Sequence, residues 1–430
     1  MKKYQLFLLF TLLYLNASGQ EKETLKLTPN QIGSIFLEQN LQLIAEKMNI
    51  NLADAEIVQA KLWDNPNLSI GGVNLWNTNK QREGESEVIP PLFGSFARNT
   101  QFSIELSQLI QTANKRGKLV AREKISKEIA IQEFETVLRG LRTELRKSIY
   151  EISYLQSYLN ALKIQKEYLF QLVESYHKQV SQGNIAKSEL LRLQSSLLEI
   201  ENENNDISIE LNEQLKNLKT LLSINPLIDI EIEKESINII NPVSLSLTQL
   251  LQQAEDNRTD IKKNKLQTQY FEKSLSYEKS QRIPDITLSA SYDRYGGVWK
   301  DFIGFGISFD LPVLNRNQGA IKAARLNRGQ SLYIEKQQIN QIQHEVVEAY
   351  ANYSQAYDFY QKISNNELLT ELDDMLEIYT KNLLNKNISM IEYIDFMDAY
   401  RNDKQTVLTA EKKMQIQFEE LQYTMGTEIK

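Results

Sequence analysis

The chain contains no cysteine. Disulfides, thiolate metal sites, a cysteine nucleophile and a lipid-modified N-terminal cysteine are thereby excluded. Proline (8) and glycine (16) are scarce for 430 residues. Both are helix breakers, so their scarcity permits long uninterrupted helices. Histidine occurs twice, as His177 and His344, both within stretches of helical periodicity. No HExxH, GxSxG, P-loop or GxGxxG constellation accompanies them, and the seven methionines form no cluster with them. No catalytic residue, cofactor or metal site is therefore expected. The formal net charge is −7 with no long basic run, which speaks against a nucleic-acid partner. Beyond the N-terminus no stretch reaches the ~18 apolar residues of a membrane helix. Any membrane crossing would have to use β-strands.

What is present begins with a secretory pattern. Lys2 and Lys3 precede an apolar core, Leu6 to Leu15, and Ala17-Ser18-Gly19 supplies small residues for cleavage before Gln20. Residues 1–19 are expected to be a signal peptide.

The remainder repeats itself. A shift of 203 residues lays Tyr176 on Tyr379, Ile185 on Ile388, Glu189 on Glu392, Leu193 on Phe396 and Leu197 on Tyr400. The same shift lays Phe102, Ile104 and Leu106 on Phe305, Ile307 and Phe309. Each half reads helix, strand, loop, strand, long helix, turn, helix. The expected organisation is a first repeat over 20–224, a seam over 225–246 and a second repeat over 247–430. The seam carries Pro226 and Pro242, and its alternation from Ile228 to Ile232 suggests a short strand.

Heptads dominate the long helices. Stepping 3, 4, 3, 4 from Ile131 to Val180 meets fifteen positions, of which thirteen are apolar or Tyr. That regularity decides for a coiled-coil seam. After Gly183 the same stepping runs from Leu190 through Leu193, Leu197 and Ile200 to Leu221, and the second half repeats it less cleanly through Tyr393, Phe396 and Tyr400. A helix over about 115–182 would be about 100 Å long. A hairpin of that reach cannot bury itself and needs neighbours from its own repeat or from other copies.

Four segments alternate with period two instead. Ile286, Leu288, Ala290 and Tyr292 alternate with polar residues, as do Phe305, Ile307, Phe309 and Leu311, and Phe102, Ile104 and Leu106. Leu68 to Trp76 is weaker and Gly-rich. Each has the length of a tilted membrane strand. Trp76, Tyr292, Tyr295, Trp299 and Phe302 cluster at the strand ends, as in an interfacial aromatic girdle. An ordinary half-buried antiparallel sheet fits the alternation as well. Four strands cannot close a channel, whereas three chains would supply twelve. The polar loops 77–98 and 293–300 would face outward.

The duplicated plan and its turn motif resemble the TolC family of outer-membrane efflux proteins, the outer membrane factors, over essentially the whole mature chain. The motif runs Gln182-Gly183-Asn184-Ile185-Ala186-Lys187-Ser188-Glu189-Leu190-Leu191, with a second copy from Lys386 to Asp395. Leu311-Pro312-Val313, leading into Asn315 to Gly319, looks like the family's strand-to-helix transition. The family usually has Gly at the first turn position of both copies. Lys386 occupies the second here, which leaves room for that turn to differ in detail.

The resemblance implies a mainly α fold with a small β part. Duplicated coiled-coil hairpins would form a trimeric α-barrel in the periplasm, and four strands per chain would contribute to a 12-stranded β-barrel in outer-membrane lipid. It implies a homotrimer docked to a periplasmic adaptor, or membrane fusion protein, and to an inner-membrane pump of the resistance-nodulation-division or ABC type. By resemblance, Glu392 and Asp395 fall on an acidic ring at the periplasmic gate, with Glu189 and Arg192 at the matched positions of the first copy. Gly183, Asn184, Ile185 and Ala186, with Asn387, Ile388 and Ser389, are the adaptor-docking candidates. Plain turn chemistry accounts for the same residues, since Gly and Asn permit left-handed backbone. The expected function is a passive exit duct for efflux or type I secretion. A soluble periplasmic coiled-coil scaffold without a barrel is the competing expectation.

Overall fold

A computed structural model describes residues 24–74, 101–233, 239–294, 301–364 and 368–429. The expected signal peptide, the aromatics Trp76, Tyr295 and Trp299, and the loop over 77–98 lie outside these. The described elements are, in order, β1 (Thr24–Leu27), α1 (Pro29–Gln39), α2 (Leu41–Lys61), β2 (Asn67–Asn74), β3 (Gln101–Ile110), α3 (Lys115–Ser181), α4 (Lys187–Leu222) and β4 (Asp229–Ile232). There follow a 3-10 turn (Pro242–Ser244), α5 (Leu247–Asn257), α6 (Thr259–Ser280), β5 (Ile286–Arg294), β6 (Asp301–Ser308), α7 (Gln318–Ser364), α8 (Leu368–Leu384) and α9 (Met390–Met425). Among the described residues, no helix is long and apolar enough to cross a membrane.

The described residues fall into two compact units. One takes those up to Glu46, Glu135–Arg258 and from Asn340 onward; the other takes Lys47–Phe134 and Thr259–Ile339. Each draws on both sequence repeats.

In the first unit, Thr28 starts α1 with a capping box: its hydroxyl accepts from the Gln31 N–H, and Gln31 Oε1 accepts from the Thr28 N–H at 2.9 Å. The short strand expected near Ile228 is β4, which pairs in parallel with β1 and buries Ile230 and Ile232 beside Leu27. The heptad seam of α3 is buried from Leu141 through Leu145, Ile152, Leu155, Leu162 and Leu169 to Tyr176. The buried face is wider than a two-helix seam, for Ile149, Tyr158, Gln165 and Leu172 are buried as well. Packing against more than one helix requires that width. Tyr158 reaches Glu203 on α4, while the Gln165 side-chain amide donates to the Met397 carbonyl on α9 at 2.9 Å.

The other unit holds a four-stranded antiparallel sheet in the order β2-β3-β5-β6. Its register puts Leu68 opposite Leu106, Leu106 opposite Ala290, and Ala290 opposite Phe305. Facing residues share a face, so the middle of one side is apolar, bounded by Arg294 and Asp301 at one end and Gln108 toward the other, and the other side carries Ser69, Glu105, Ser291 and Gly304. The polar side is crowded: a Cβ on Gly306 would lie 2.6 Å from Ser289 Oγ. Two strand ends differ from the alternation. β6 stops at Ser308, which pairs with Thr287, the second residue of β5, and Phe309 and Leu311 lie beyond the described ladder. β2 ends at Asn74 after a register shift past Gly71, and Gly72 takes φ +60° there. That bulge is the reason for the glycine pair.

The duplication appears in the backbone itself. Asn114 and Asn317, Gly183 and Lys386, and Ser223 and Gly426 all have positive φ, and each pair is separated by 203 residues. Asn114 and Asn317 immediately precede α3 and α7; Ser223 and Gly426 cap the C-termini of α4 and α9.

Candidate functional site: the paired hairpin tips

The tips of two helical hairpins, α3–α4 and α8–α9, rest on one apolar core. Leu169, Leu172, Val173 and Tyr176 of α3 meet Leu190, Leu193 and Ile200 of α4, and Leu376, Leu383, Met390, Tyr393, Met397 and Tyr400 of the second hairpin complete the cluster. At the tips each hairpin therefore packs on the other repeat of the same chain. Tyr379 stacks on Phe396 with ring centroids 4.1 Å apart. Tyr393 is fully buried, and burial pushes its phenol up to about 12. It remains a neutral hydrogen-bonding group, with its hydroxyl 3.3 Å from Thr380 Oγ1.

Both tips turn in the same way. Gly183 N–H donates to the Val180 carbonyl (3.0 Å) and Asn184 N–H to that of Gln179 (2.9 Å); Lys386 N–H donates to Leu383 (3.0 Å) and Asn387 N–H to Asn382 (2.9 Å). This is the double bond of a Schellman ending, closed by a left-handed residue. Gly183 has φ +76° and Lys386 φ +63°. The second turn therefore differs in residue and not in geometry, and Lys386 carries a backbone strain of roughly 1–2 kcal/mol that Gly183 avoids.

The helices leaving the turns start differently. Ala186 caps α4 without any side-chain bond. Ser389 caps α9 in a capping box: Ser389 Oγ accepts from Glu392 N–H at 3.3 Å, and Glu392 Oε2 accepts from Ser389 N–H at 2.7 Å. The backbone and side-chain hydrogen bonds from Ser389 hold the Glu392 carboxyl below its ordinary value. The side chain that resemblance assigned to a gate thus also caps a helix.

Arg192 and Asp395 line one groove of about 290 Å³, with Ser195, Ser196 and Glu199 on α4 and Ile391 and Ile394 on α9. Among the described residues, Arg192 and Asp395 are in no ion pair and both are exposed. Glu189 is half-buried near the Tyr176 phenol, and Glu392 is exposed; neither lines the groove. The docking candidates Gly183, Asn184, Ala186, Asn387 and Ser389 are exposed, while Ile185 and Ile388 pack half-buried against the core. Ser195 and Glu199 escaped the sequence reading, although they follow Arg192 by three and seven residues and so share its helix face.

His177 and His344 are both exposed on helices. Among the described residues no group of His, Asp and Glu could hold a metal ion. Of the expected interfacial aromatics, Tyr292 lies in β5, where its ring sits 5.9 Å from that of Phe102 and its hydroxyl donates to Asp301 at 2.6 Å.

Residues 33–223 match the family described as outer membrane efflux protein. No curated protein matches in sequence. Solved structures match almost end to end at low identity. CusC, whose crystal structures concern folding and transmembrane channel formation, is 17% identical with a TM-score of 0.71, covering 96% of each chain. The Campylobacter jejuni CmeC outer membrane channel is 15% identical with a TM-score of 0.74, over 93% of this chain and 85% of its own. The Vibrio cholerae outer membrane protein VceC is 14% identical with a TM-score of 0.70, over 93% and 96%. At these identities the likeness establishes the fold.

The second tip yields a stability prediction. Ser389→Ala should destabilise the hairpins by about 1 kcal/mol, and Lys386→Gly should stabilise them by up to about 1 kcal/mol. Because the Glu392 carboxyl is held low, its contribution is present at neutral pH and lost as pH falls through that lowered value. The margin of wild type over Glu392→Gln should therefore close in acid. Thermal unfolding followed by circular dichroism across pH checks all three; a margin that widens in acid contradicts the capping role.

Proposed function

We propose, for a chain whose residues 33–223 match the outer membrane efflux protein family, that three copies assemble into a passive exit duct across the outer membrane. The observation that carries this reading is the sheet β2-β3-β5-β6. Its apolar face is bare: Phe305 is 87% exposed, Ile307 71%, and Leu68 and Ile70 63% each. Its outer strands β2 and β6 have free edges within the described sheet. Bare edges and a bare apolar face are both costly in water. Pairing edges with further copies and turning that face to lipid removes both costs, and three copies give twelve strands with Glu105 and the serines lining water.

Residues 1–19 would direct export, and the repeats over 20–224 and 247–430 would flank the seam over 225–246. Helical hairpins from three copies would form the periplasmic α-barrel. Its tips would dock a periplasmic adaptor, which joins the duct to an inner-membrane pump of the resistance-nodulation-division or ABC type. Glu392 and Asp395, with Glu189 and Arg192 opposite, would form the gate ring. No chemistry is assigned to the duct itself.

Membrane insertion is tested on the lipid face. Phe305→Lys should cost about 2–4 kcal/mol of barrel stability and deplete the heat-modifiable trimer from the outer-membrane fraction, whereas Ser291→Lys should not. A soluble monomer requiring no detergent would decide for the scaffold instead. In planar bilayers, Asp395→Ala and Glu392→Ala should lower cation selectivity and relieve block by multivalent cations; unchanged conductance properties would remove the acidic ring. Photo-cross-linkers at Ile185 and Ser389 should capture an adaptor in cells, and capture from positions along β3 alone would refute docking at the tips.

A further inference from the structure

Where β6 ends, the chain passes through Leu311, Val313 and Leu314, which are 72%, 65% and 91% exposed, and enters α7. Beside this passage lies a cavity of about 640 Å³ whose walls carry Arg282, Arg316, Lys322 and Arg325 together with Val313 and Leu314. No carboxylate lines it. Among the described residues none of the four cations is in an ion pair; the Arg316 Nε–H donates to the Pro312 carbonyl at 3.1 Å. The neighbouring cavity, which shares Arg282, Val313 and Leu314 with this one, does hold carboxylates, Asp285 and Asp310, and there the buried Lys115 is neutralised by Asp285 at 2.8 Å.

The placement runs against local electrostatics. The first turn of α7 has no acidic residue, although the N-terminus of a helix carries partial positive charge and favours anions. Arg316, Lys322 and Arg325 add to that positive end, and Arg282 adds a fourth charge. One of the four has a neutralised counterpart in the first repeat: Arg122, which precedes Arg325 by 203 residues, pairs with Glu123 at 2.5 Å. At the position matching Glu123 the second repeat has Leu326, which is 63% exposed.

We propose that this cavity binds the phosphate headgroup of an anionic phospholipid in the membrane leaflet that meets the strand-to-helix passage. Charge complementarity calls for an anion. The exposed apolar run, continuous in sequence with the lipid-facing strand β6, calls for acyl chains beside it. An anionic phospholipid meets both requirements, whereas free phosphate meets only the first. The inference rests on the membrane reading above and adds a lipid preference to it.

Native mass spectrometry of the detergent-purified protein tests it, with phosphatidylglycerol, phosphatidylcholine and inorganic phosphate as probes. Wild type should retain phosphatidylglycerol over phosphatidylcholine, and each cation removed should weaken that preference about fivefold. The variant carrying Arg282→Gln, Arg316→Gln, Lys322→Gln and Arg325→Gln should show none. Raising salt from about 0.1 M to about 1 M should weaken the wild-type preference, since screening tightens to about 3 Å. If the quadruple variant fails to fold, Lys322→Gln and Arg325→Gln singly, with the salt series on wild type, decide the matter. Equal retention of the two lipids by wild type, an undiminished preference in the variants, or displacement of lipid by inorganic phosphate at equal concentration overturns the proposal. Dissociation of the oligomer by the single variants would assign the surface to contact between copies and also overturn it. A protein that retains no lipid of any kind and needs no detergent would instead overturn the membrane reading itself.

Discussion

The structure of the hairpin unit depends on one apolar core that no single hairpin could build. A lone pair of long helices leaves most of each heptad face in water. Here Leu193, Tyr393 and Met397, at 0–1% exposure, close the faces of both repeats on each other. Burying each such side chain contributes about 1.5–3 kcal/mol. An exposed pair such as Lys166–Glu201, with both side chains 42% exposed, contributes at most about 1 kcal/mol. Ion pairs therefore trim the assembly and the core sets it. The tips, the groove and the capping box inherit their positions from that packing.

The sequence showed the core as periodicity, and the periodicity was sound because coiled-coil packing leaves a one-dimensional signature. The strands were legible for the same reason, since side-chain alternation is local. Strand ends were not. Phe309 and Leu311 keep the alternation of Ile307, but the pairing stops at Ser308 opposite Thr287, and where two strands part is not written in the alternation of either. Lys386 was unreadable from the other side. Residue preference argues against left-handed backbone for lysine, yet hydrogen bonds to Leu383 and Asn382 and the core beneath impose it. The groove joining Arg192 to Asp395 needs the pairing of α4 with α9, which no spacing within one helix reveals. The capping box was legible in principle, as Ser389 and Glu392 stand three apart ahead of an apolar run.

Duplication explains which features agree between repeats and which do not. The left-handed positions agree: Asn114 with Asn317, Gly183 with Lys386, Ser223 with Gly426. Backbone reversals are geometric requirements of the packed hairpins, so either repeat must satisfy them with whatever residue it has. Side-chain charge is under no such constraint. Ala186 leaves its helix uncapped where Ser389 and Glu392 form a reciprocal cap. Arg192 stands where the second repeat has Asp395, and Arg122 is paired where Arg325 is not.

That divergence bears on how charge at the tips can act. If Glu392 and Asp395 were equivalent ring carboxylates, both would be free to meet a passing cation. Instead Glu392 has one carboxylate oxygen committed to the Ser389 N–H, and Asp395 shares its groove with Arg192. A cation drawn to Glu392 would have to compete with the Ser389 N–H for that oxygen. A cation drawn to Asp395 meets the field of Arg192 as well. The two carboxylates therefore have different surroundings: one caps the start of α9, and the other shares a groove with a cation of the first hairpin.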